Sequence, residues 1–105
     1  MTSRYADQPD VSIDEQNVPE ELRALLPLAR IWAIGDDVER NDFMEQASVE
    51  ERKHLVDTVA PHFEALSEWS SVENRKTPVP DVVVLLDMLA EAAAEALLEV
   101  YPDGR

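Results

Sequence analysis

From Val82 to Tyr101 every residue is apolar except Asp87, Glu91, Glu95 and Glu99, which recur at every fourth position. A strand does not carry this pattern, because strands alternate at period two and rarely exceed about ten residues. A helix does, since residues four apart fall on one face and drift by about 40° per step. Val82-Val83-Val84-Leu85-Leu86 alone could be a buried strand, but the alanine-rich continuation decides for helix. The expected helix starts at Pro80 or Asp81 and runs to about Val100, with Pro102-Asp103-Gly104 beyond it. One narrow acidic stripe on an otherwise apolar helix implies cover on most sides. The rest of the chain must therefore supply helices that pack around this one.

Three further amphipathic segments are available. The first begins near Pro19, where a missing N–H is harmless, and Glu20 and Glu21 complement the helix dipole. Leu22, Leu25, Leu26, Ala29, Trp32 and Ala33 form its stripe, Pro27 should kink or restart it, and Gly35 stops it. Asp36 or Asp37 can cap a second helix through about Gln46, with Val38, Phe43, Met44 and Ala47 as apolar positions. Ser48-Val49-Glu50-Glu51 is a capping box that opens a third helix. Leu55, Val56, Val59, Ala60, Phe63, Leu66 and Trp69 follow on one stripe, with a kink expected at Pro61. Ser70 to Pro78 reads as an exposed connection.

The predicted fold is all-α, a compact bundle of about four helices, some kinked at proline, preceded by a flexible acidic tail. Residues 1–18 form the tail and 19–105 a single helical domain; Val11, Ile13 and Val18 are apolar enough to dock onto the body. The 105 residues suit one modest core, and two glycines are too few for a fold built on tight hairpins.

Charge restricts the partners. Nine basic residues face 23 acidic ones, a net charge of −14. Such an excess repels phosphate backbones and anionic membrane surfaces, so direct binding to nucleic acid or membrane is not expected. A basic protein is the electrostatic complement. The acids along the C-terminal helix are too costly for a bilayer, the first residues lack the apolar run of a secretory signal, and no cysteine is present. Cytoplasmic residence is the expectation.

Catalytic motifs are missing. Glu51-x-x-His54 has the spacing of one half of a di-metal carboxylate site, but the second motif is lacking and Glu51 is already accounted for as a capping residue. The acidic run from Asp36 to Asp42 lacks the glycine and distal glutamate of a calcium loop. His54 and His62, eight apart, are read as surface residues, and no serine lies in a nucleophile elbow. No enzyme, metal or cofactor is expected. Trp32 and Trp69 fall within the apolar stripes and are expected in or beside the core.

In size, acidity and helical pattern the chain is similar in kind to small bacterial immunity and inhibitor proteins, by composition and not by motif. The expected function is a protein-binding module that covers a basic site on a partner. Its expected contact residues are Asp36, Asp37, Glu39 and Asp42, or Glu91, Glu95 and Glu99. The alternatives are a homodimer formed through the apolar face of the C-terminal helix and a nucleic-acid mimic.

Overall fold

The computed structural model describes residues 15–34 and 37–101, omitting the side chain of Asp37. A 3-10 turn at Glu15–Asn17 leads into α1 (Glu20–Arg23) and α2 (Leu26–Trp32). Next come α3 (Asp37–Gln46) and α4 (Val49–Val59). A second 3-10 turn, Ala60–His62, joins α4 to α5 (Phe63–Glu73), and α6 (Asp81–Val100) is the last element of the described residues. The radius of gyration is 13.4 Å, close to the roughly 13 Å expected of a folded domain of about 100 residues. Every element among the described residues is a helix, in keeping with the all-α fold predicted from the periodicity.

Helix α6 is the central element. Helices α2, α4 and α5 pack against it, α4 most extensively. Val82, Val83, Leu85, Leu86, Leu89, Ala92, Ala93 and Ala96 are buried, so most of its apolar surface is covered within the chain, while Leu98 near its end stays exposed. Leu22, Leu25, Leu26, Ala29 and Trp32 come to this core from α1, α2 and the turn between them, Leu55, Val56 and Val59 from α4, and Leu66 from α5. Trp32 meets Phe43 of α3 edge-on, with ring centroids 4.9 Å apart. Trp69 is half-buried against the same core.

The bundle has more helices than the four expected, and the extra breaks fall at prolines. The segment predicted as one helix from Pro19 is two: α1 ends at Arg23 and α2 restarts at Leu26, placing Pro27 in its first turn, where no N–H is needed. The segment predicted from Ser48 is also two, with Pro61 in the 3-10 turn between α4 and α5. A proline ring there would clash with the carbonyl of Asp57 in a continuous α-helix.

Two further boundaries differ. Helix α5 continues to Glu73, and Ser70 and Glu73 are buried, although the sequence suggests an exposed connection from Ser70. Val18, placed by sequence in the tail, is buried in the core, and its carbonyl accepts from Arg23 Nε at 2.9 Å. Asn17 Nδ2 donates to Glu73 Oε1 at 2.9 Å, joining the start of the described chain to the end of α5. The rest of the expected tail, residues 1–14, lies outside the described residues. Among the described residues no helix is long and apolar enough to cross a membrane.

Candidate functional site

The acidic stripe of α6 carries three of the predicted contact residues, Glu91, Glu95 and Glu99, and its four carboxylates, with Asp87, have different neighbours. Asp87 faces α5: its Oδ1 accepts from Ser70 Oγ at 2.6 Å and its Oδ2 from Asn74 Nδ2 at 3.2 Å. Asn74 Nδ2 also donates to the Ser70 carbonyl and hydroxyl, both at 2.8 Å. This cluster ties α5 to α6 and places Asp87 outside any acidic docking face.

The three glutamates further along α6 face α3 and α4. Arg40 of α3 reaches Glu91 Oε2 at 3.5 Å through Nη1 and Glu95 Oε1 at 3.2 Å through Nη2. Arg52 of α4 reaches Glu99 Oε2 at 2.9 Å. The side chain of Arg40 is only 11% exposed while that of Glu91 is 67% exposed. Glu95 and Glu99 are about half exposed, and Arg52 is largely covered. The cations lie beneath and the carboxylates above, so solvent meets negative charge.

Between α3 and the end of α6 this arrangement frames a groove of about 360 Å³, lined by Asn41, Met44, Glu45, Glu95, Leu98 and Glu99. Met44 is buried at its base, and Leu98, 72% exposed, stands at its edge. Of the predicted contact residues, Glu95 and Glu99 line the groove and Glu91 joins them through Arg40. Asp42 is exposed on α3 and Glu39 is half-buried there, neither lining the groove. Asp37 opens α3; its side chain, and the whole of Asp36, lie outside the described residues. Sequence reading missed Arg40, Arg52, Glu45 and Leu98. Arg40 left a signal, as the one basic residue of an acid-rich helix.

Beside this face, Asp57 of α4 anchors the end of α6. Tyr101 Oη donates to Asp57 Oδ1 at 2.9 Å, and Lys53 Nζ meets Asp57 Oδ2 at 2.9 Å. Hydrogen bonds to Asp57 and then Tyr101, with their charge attraction, raise the Lys53 ammonium above its ordinary value.

Glu51 behaves as a capping residue. Ser48 Oγ accepts from the Glu51 N–H and Glu51 Oε1 accepts from the Ser48 N–H, each at 3.1 Å. Among the described residues no group of three or more His, Asp or Glu is placed to hold a metal ion. No family model, curated protein or solved structure matches the chain.

Proposed function

We propose that the chain is a non-enzymatic, acidic protein-binding module of the inhibitor or immunity type, which uses the α3–α6 face to cover a basic site on a partner. One observation carries this reading. The arginines of that face are covered while the glutamates paired with them stay half exposed around Leu98 and Met44. An apolar centre rimmed by charge of one sign is the anatomy of a protein contact, in which the rim steers association and the centre supplies affinity. Self-association through the apolar face of α6 is the weaker reading, because Val82, Leu85, Leu89 and Ala93 are buried within the chain and Leu98 is the large apolar side chain that α6 leaves exposed.

The test uses the full chain as bait in a lysate of its source, followed by titration of the purified partner. A basic partner is expected, with affinity that falls as salt rises. Asp42→Lys combined with Glu45→Lys should weaken binding about tenfold, mainly through slower association. Leu98→Ser should do so through faster dissociation. An acidic partner, or affinity indifferent to all three changes, would refute the reading.

A further inference from the structure

A second groove lies on another part of the surface, where α2 faces the first turns of α4. Leu28, Ile31 and Trp32 form its apolar wall, and Glu50, Glu51 and His54 form the other side. Trp32 is buried and held by Phe43, Leu28 is half-buried, and Ile31 is 44% exposed at the lip. The three residues of the α4 side are exposed. Glu51 is held in position by the capping box, and Glu50 lies beside it on the same side of the groove.

We infer that this groove seats an apolar side chain from a basic amphipathic segment of a partner protein. The inference rests on the reading of the chain as an acidic binding module and gives that partner a second, apolar point of attachment. The groove, of about 280 Å³, has room for one apolar side chain. Charge chooses among macromolecules. A second copy would bring its own acidic rim and a net charge of −14, and like charges brought together oppose association. A segment with lysine or arginine flanking a leucine-sized residue matches both features at once: the apolar wall removes the leucine from water, and Glu50 and Glu51 meet the flanking cations.

Two synthetic peptides provide the test with the full chain. One is an amphipathic helix with leucine on one stripe and lysine elsewhere; the other has serine in place of each leucine. Calorimetric titration should show the leucine peptide binding at least about tenfold more tightly, the effect of burying one apolar side chain. The Trp32 indole N–H resonance should shift with the leucine peptide and not with the serine peptide. Ile31→Asp should abolish the preference for leucine while helix content by circular dichroism stays unchanged; Ile31→Ser replaces it if the charge perturbs the fold. Glu50→Lys should weaken both peptides alike.

Equal, salt-sensitive binding of the two peptides would overturn the groove assignment and leave the acidic-module reading standing. Binding of neither peptide at low salt would remove both. A leucine preference that survives Ile31→Asp and leaves Trp32 unmoved would place the contact elsewhere and overturn the assignment. A Trp32 resonance that shifts on dilution of the protein alone would give the groove to a second copy and overturn the partner proposed for it.

Discussion

The two halves of α6 are held in place by different means. Its first half buries Val82, Val83, Leu85, Leu86 and Leu89, and the acid set among them, Asp87, is met by the neutral groups of Ser70 and Asn74. Its second half buries only alanines fully, Ala92, Ala93 and Ala96, and its three acids are met by arginines from α3 and α4. A buried leucine contributes about 1.5–3 kcal/mol by leaving water, and an alanine much less. Where apolar area is large, the helix needs only local hydrogen bonds to fix its neighbour. Where it is small, charge pairs between distant segments supply the orientation.

The contrast can be broken by substitution. Leu86→Ala should cost about 2–5 kcal/mol, read as a lower urea midpoint with the slope unchanged. The deficit should be nearly the same at low and high salt. Arg40→Ala should cost about 1–2 kcal/mol, from the loss of two carboxylate contacts and of its covered stem. That deficit should shrink as salt rises. If both variants responded to salt alike, the division of labour along α6 would be wrong.

Ser70→Ala sharpens the comparison from the other side. It removes the shorter of the two bonds to Asp87 and should cost about 1 kcal/mol, with little salt dependence. The smallest effect concerns Glu73, which is buried near the same end of the bundle. The hydrogen bond from Lys76, helped by that from Asn17, holds its carboxyl below the usual carboxylate range, against burial, which pushes it up. A depressed folded value means that its contribution is complete above the unfolded value and is lost as pH falls through the folded one. The Tm difference between the wild type and Glu73→Gln should therefore be constant near neutrality and vanish in acid. A difference that grows in acid would reverse the sign and refute the account.

Local features were legible in the sequence because their causes are local. The acidic stripe and its alanine-rich flanks fix α6 within a residue of its observed ends, and the Ser48–Glu51 box forms as its spacing requires. Pro27 predicts a kink or a restart, and the helix restarts one residue before it; Pro61 predicts a kink, and there the chain instead leaves the α-helix for a 3-10 turn. The partners of the stripe were not legible. Arg40 lies 51 residues from Glu91, and no periodicity relates residues on separate helices until the helices pack. Glu73 was missed for the same reason: a polar run reads as exposed, and its hydrogen-bond partner Asn17 lies 56 residues away.

The covered arginines of the α3–α6 face have one more consequence. A glutamate side chain free in water samples many rotamers, and fixing it at an interface has an entropic cost of about 0.5–1.5 kcal/mol. Glu91, Glu95 and Glu99 are each tethered at one carboxylate oxygen by a guanidinium beneath them. Much of that freedom is surrendered when the chain folds. The carboxylates stand preorganised, and a cation arriving from outside meets an arrangement that has little ordering left to undergo.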